Sequence, residues 1–281
     1  MLGKACAIGA LIWAGLGGAG WGCAYLEELE PKLLSDLQQR EGSQTATFPK
    51  LRNGARAEIE LSFRDEAGAP RVYDRDGEAV AIFPRSYYLP ALAWVDAFAV
   101  CAMERSNCAQ LGAFAQAYKT TELGDHIPFA YKLIQEAPGA CDLRGTPQYE
   151  VTFVAAYEMI GMALQSHELG HLVLGHLDRM ETVGKPEEAH ADAIAHYLVA
   201  QADTSGGTNA VWAAMALMPL INSAFASDLH PDVACRAYFM SNGNVNFRDE
   251  TQDCTAYEAD IAEGQRLRKG LIGPETELIV R

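Results

Sequence analysis

The chain has no C-x-x-C pair, which removes the usual cysteine framework of a structural zinc site. It also lacks a phosphate-cradling G-x-x-x-x-G-K-[ST] loop and a G-x-S-x-G nucleophile turn, so neither a P-loop NTPase nor a serine hydrolase of that type is written here. No internal repeat is present, which excludes solenoids and propellers. Basic residues are scarce: 22 Lys and Arg against 37 Asp and Glu leave a net charge of −15. Such a surface repels phosphate backbones and argues against nucleic acid as a partner. What is there is an ordinary globular composition over 281 residues, 49% apolar and 21% charged, enough for one large domain or two small ones.

Met1–Ala24 (MLGKACAIGALIWAGLGGAGWGCA) differs from the rest, with one lysine followed by an uncharged run rich in Gly and Ala. It reads as a secretory signal peptide with Gly22-Cys23-Ala24 as a loose cleavage site. A retained membrane anchor and a lipid attached at Cys23 are the alternatives. By each route the rest of the chain is exported, periplasmic or membrane-anchored outside the cytoplasm. No second membrane span is expected, because the apolar stretch Val151–Leu177 is interrupted by polar groups. Five cysteines follow Cys23, an odd number, so at most two bridges form among them. Cys101–Cys108 and Cys235–Cys254 are the candidate pairs, with reduced buried thiols as the equal alternative.

Tyr25–Gly42 reads as an acidic surface helix and Gly42–Lys50 as a polar linker. Arg56–Arg64 (RAEIELSFR) alternates apolar and polar residues, the pattern of a half-buried strand. Pro70–Asp74 and Glu78–Phe83 flank Asp76-Gly77, which predicts a hairpin and hence a small antiparallel sheet over 55–85. Leu89–Arg105 and Cys108–Tyr118 read as helices, and His126 as a structural histidine in a turn. Further helices are expected over Tyr149–Asp178, Pro186–Ala202 and, bent at Pro219, Asn209–Ala226. Thr204–Asn209 breaks the chain, and Gly243–Arg281 reads as a polar, loop-rich tail.

The chemistry is concentrated in Ser166–His176, SHELGHLVLGH. Residues four apart share a helix face, so His167 and His171 can aim two imidazoles at one metal ion. Glu168, beside the first of them, can take a proton from an activated water. A catalytic zinc usually has three protein ligands. The metzincin spacing would put glycine at position 174 and histidine at 177, where this chain has Leu174 and Leu177. His176 is half a turn round the helix from His167 and faces away. The third ligand is therefore sought on the second helix, in EEAHADAIAHYLVA. Glu188 and Asp192 share a face there: Glu188 can bind the ion, and Asp192 can accept a hydrogen bond from a ligand histidine's other nitrogen. Glu187 and His190 are the alternatives for the ligand.

H-E-x-x-H followed by E-x-x-x-D resembles the gluzincin metallopeptidases. The form Glu188-Ala-His-Ala-Asp192 is similar to the family of the type-I CAAX prenyl endopeptidase, the membrane protease HtpX and their soluble periplasmic relatives. His230-Pro231-Asp-Val-Ala-Cys-Arg236 matches that family's downstream H-P-x-x-x-x-R. The resemblance covers Ala155–Tyr238, under a third of the chain; phage-exclusion-type peptidases and ImmA-type regulators carry similar helices.

It implies a mainly helical α+β zincin-like domain with a small antiparallel sheet, one Zn2+ held by His167, His171 and Glu188, and a protein or peptide substrate. The organisation expected is a signal peptide or N-terminal anchor over 1–24, an acidic helix and linker over 25–50, and one metallopeptidase domain over 51–281 with its zinc site within 155–240. Glu168 is the expected general base and His230 the expected oxyanion donor; Arg236 is expected to fix its loop by pairing with a carboxylate. The rival readings, a metal-stabilised binding or chaperone module and a ligand-sensing regulator, do not need Glu168.

Overall fold

The computed structural model describes residues 44–48, 51, 57–64, 71–76, 78–84, 95–96, 98–103, 143–144, 146–176, 183–202, 230–240, 248, 252–273 and 279–280. The expectations placed on Met1–Ala24, Tyr25–Gly42, Cys108–Tyr118, His126, Thr204–Asn209 and Asn209–Ala226 lie outside these residues. Among the described residues the protein is a mainly helical α+β structure.

Strands β1 (Gln44–Phe48), β2 (Ala57–Arg64), β3 (Arg71–Arg75), β4 (Glu78–Pro84) and β5 (Ile279–Val280) form one sheet in the order β3-β4-β2-β1-β5. The alternation in β2 works as read: Ile59 and Leu61 are fully buried while Glu58 is exposed. The hairpin is also present, with Arg75 opposite Glu78 and Asp76 at φ 56°, the left-handed backbone that a two-residue primed turn requires.

The expected antiparallel sheet is mixed instead, because β4 pairs parallel to β2, Leu61 opposite Ala81. The reason is in the side chains. β4 is buried continuously from Val80 to Pro84, which suits an interior strand covered on both faces. β3 (RVYDR) is polar and keeps the edge. The stretch 42–50, expected to be linker, contains β1, which pairs antiparallel with β2 on one side and with β5 on the other.

Helix α1 (Pro147–Val173) begins where Thr146 caps it, its hydroxyl accepting from the Tyr149 N–H at 3.3 Å, with Pro147 in the first turn. It ends five residues before the expected Asp178, because Gly175 takes φ 71°. The start of α1 is tied to the helical residues near 95–103 by a buried network. Arg144 grips Asp96 through two bonds of 2.7 Å, and the Tyr149 hydroxyl donates to the same carboxylate at 2.6 Å.

α1 lies against β2, β3 and β4 and against α2 (Lys185–Ala202). α2 is in turn packed against α4 (Thr255–Leu271), which replaces the loop expected in the tail. α3 (Val233–Met240) completes the group.

Two glycines set these approaches. A Cβ on Gly170 would lie 3.0 Å from Ala191 Cα, and one on Gly264 would lie 2.8 Å from His190 Cα. α2 thus runs closely between two neighbours, its alanines 189, 191, 193 and 195 all buried. Cys235 of α3 is disulfide-bonded to Cys254, just before α4. Both pack with Ala189, Ala193, Tyr257 and Ile261 in one apolar cluster. Cys101 is also in a disulfide, with a partner outside the described residues. No helix among the described residues is long and apolar enough to cross a membrane.

Candidate metal centre

The close α1–α2 crossing places Gly170, between His167 and His171, against Ala191, between Glu188 and Asp192. The two pairs of side chains therefore meet at the crossing. His167 Nε2 lies 3.2 Å from His171 Nε2 and 3.2 Å from Glu188 Oε2, while His171 Nε2 lies 3.5 Å from Glu188 Oε1. Two donors on a tetrahedral zinc with bonds of 2.0–2.1 Å are separated by roughly 3.3 Å. The three side chains are buried and together could hold a metal ion.

Glu188 Oε2 is buried without a hydrogen-bond partner, despite imidazole nitrogens within 3.2–3.5 Å. An orphaned buried carboxylate oxygen is costly, and a cation at this point would satisfy it. The set of two nitrogens and one carboxylate fits a first-row divalent ion.

The alternatives for the third ligand have other engagements. Glu187 Oε2 accepts the Gly184 N–H at 3.0 Å and caps α2. His190 lies beyond the cluster, its ring centroid 6.4 Å from that of His176.

Behind the cluster, His167 Nδ1 faces Asp192 Oδ1 at 3.0 Å, a close contact that falls short of hydrogen-bond direction. Asp192 is held in turn by Arg236 through Nε and Nη2 at 2.7 and 2.6 Å, and by the Tyr257 hydroxyl at 3.0 Å. Asp192 and Arg236 side chains have no exposure at all. Arg236 thus pairs with a carboxylate as expected, and that carboxylate is Asp192. Tyr257 is a contributor that sequence reading missed, since its helix was itself read as loop.

His230 reaches the open side: its Nε2 lies 3.5 Å from Glu188 Oε2 and its side chain keeps 26% exposure. Asp232, not His230, caps α3, accepting from the Ala234 and Cys235 N–H groups at 2.8 and 3.3 Å.

His176 lies past the end of α1 and outside the donor cluster, so the half-turn spacing does not govern it; it is buried and its Nδ1 sits 2.9 Å from His171 Nδ1. The cause is the end of α1. Gly175 in the left-handed region lets its N–H reach Leu172 O at 3.1 Å and the His176 N–H reach His171 O at 2.9 Å, the paired bonds of a Schellman turn.

No protein-family model, curated protein or solved structure matches this chain.

The charges sort the groups. Burial alone would push His167 down, but Asp192 and Glu188 outweigh it and hold the imidazole up at about 10. Burial pushes His171 down to about 3, only partly offset by Glu188. Burial raises the Glu168 carboxyl to about 7, against the pull of His167. Glu188 itself is held well below the usual carboxylate range by the histidines, chiefly His167, in spite of its burial. A carboxyl poised near neutrality beside a nitrogen-and-oxygen donor cluster is the arrangement general base chemistry needs.

Proposed function

We propose that the protein is a zinc metalloendopeptidase of gluzincin type, with His167, His171 and Glu188 as the ion's ligands. The convergence of two buried imidazoles on the buried Glu188 carboxylate, whose Oε2 has no hydrogen-bond partner, carries this reading, and Glu168 beside them turns it from metal binding to catalysis. Zinc held by these three side chains would supply Lewis acidity and lower the pKa of a water toward about 7. Glu168, itself near 7, takes the proton of the attacking water and passes it to the leaving amine. His230, on the exposed side of Glu188, donates to the oxyanion as it develops. Asp192, clamped by Arg236 and Tyr257, stands 3.0 Å from His167 Nδ1, where its charge raises the imidazole's strength as a ligand. The substrate in this reading is an unfolded or extended protein segment, and the composition of Met1–Ala24 supports an exported enzyme, free or at a membrane.

The test is Glu168→Gln. The variant should keep its zinc and lose cleavage of an unfolded protein by about 10²–10⁴-fold. Zinc retained in both proteins, with no cleavage by the wild type, would instead leave a metal-stabilised binding module.

A further inference from the structure

The two histidines of the cluster are supported by different chemistry. His167 turns its Nδ1 to a carboxylate from α2, Asp192. His171 turns its Nδ1 to another imidazole, His176, from the end of its own helix. We infer that His176 is a positioning residue for His171: it accepts the Nδ1 hydrogen and so fixes the tautomer and ring angle that direct Nε2 toward Glu188. This rests on reading His171 as a metal ligand.

A ligand imidazole with Nε2 toward an ion carries its hydrogen on Nδ1, and that hydrogen needs an acceptor. The His176 ring is buried and its Nδ1 occupies the acceptor position at 2.9 Å. Its placement is local. The left-handed Gly175 folds the chain back, the His176 N–H bonds His171 O at 2.9 Å, and backbone and side chain of residue 176 therefore address the same residue. Schellman turns commonly bring an apolar side chain back onto this position of the helix; here an imidazole takes that place.

An uncharged acceptor also suits the charge balance. Glu188, Glu168 and Asp192 already offset a divalent ion together with Arg236, so a further carboxylate at position 176 would leave the buried cluster negative.

The experiment uses the full chain. In 15N-labelled protein, a trans-hydrogen-bond N–N coupling should link His171 Nδ1 and His176 Nδ1. Zinc affinity by chelator competition, and the visible spectrum of the cobalt-substituted protein, are then compared for wild type, His176→Ala, His176→Asn and His171→Ala. His176→Ala should bind zinc about 10–100-fold more weakly with an altered cobalt spectrum. His176→Asn, whose side-chain oxygen can accept the same hydrogen, should recover most of the loss. Wild-type affinity in His176→Ala beside a loss in His171→Ala overturns this proposal alone. Undiminished uptake by His171→Ala overturns the ligand reading and this proposal with it. Should His176→Ala fail to fold, the coupling and His176→Asn decide, with His176→Leu as the apolar control: no coupling, or zinc binding by His176→Asn no tighter than by His176→Leu, is the contrary result.

Discussion

Arg236 grips Asp192 with two guanidinium nitrogens, at 2.6 and 2.7 Å, and neither side chain reaches solvent. The pair joins α3 to α2 directly behind His167. Removing one member leaves the other charge buried, which costs far more than the intact pair contributes. Arg236→Ala should lose about 3–5 kcal/mol of stability, read from urea unfolding. A loss below about 1 kcal/mol, the range of exposed ion pairs, would contradict the burial described.

Metal uptake should release a proton. His167 is held protonated up to about 10 by Asp192 and Glu188, whereas His171 is already neutral at pH 7. A ligand imidazole must be neutral. Below the His167 pKa, zinc affinity should therefore rise with pH, about tenfold per unit where one proton is displaced. Calorimetry in buffers of different ionisation enthalpy measures the proton count; affinity independent of pH across neutrality would refute the assignment.

Two glycines of α4 should respond differently to alanine. At Gly264 a Cβ would lie 2.8 Å from His190 Cα and 2.9 Å from Ala193 Cβ, while at Gly270 nothing lies within 4 Å. Overpacking costs about 1–3 kcal/mol, and the better helix propensity of alanine returns at most about 1 kcal/mol. Gly264→Ala should lower the melting temperature and Gly270→Ala should leave it unchanged or raise it.

How much of this was legible in advance depended on range. His167, Glu168 and His171 are specified by local helix spacing, and the structure places His167 and His171 together as read. Choosing Glu188 over Glu187 needed the α1–α2 crossing, which Gly170 hints at only once its neighbour is known. Pairing order in the sheet was misjudged because a hairpin signal says nothing of the third strand; the apolar run Val80–Pro84 was the available clue that β4 is interior. α4 was missed because its buried stripe, Tyr257, Ile261 and Gly264, ends in a residue that has no side chain to mark it. The helix spacing of His176 reads against it as a ligand, but only Gly175 before it signals a turn back onto His171.

The Cys235–Cys254 bridge closes a segment of 19 residues between the helices that carry Arg236 and Tyr257, the two residues that hold Asp192. Its removal by Cys235→Ser with Cys254→Ser should cost about 3 kcal/mol and weaken zinc binding as well. Unfolding with and without reductant, alongside the double variant, measures the first effect. Equal stability in all three conditions would show that the bridge constrains nothing.

The most direct test of the account is the metal content of the purified protein, by mass spectrometry, after equilibration with zinc and removal of excess. The wild type should hold one zinc ion per chain at the α1–α2 crossing, and Glu188→Ala should hold almost none. A wild type without metal, or a Glu188→Ala variant with a full complement, would contradict it.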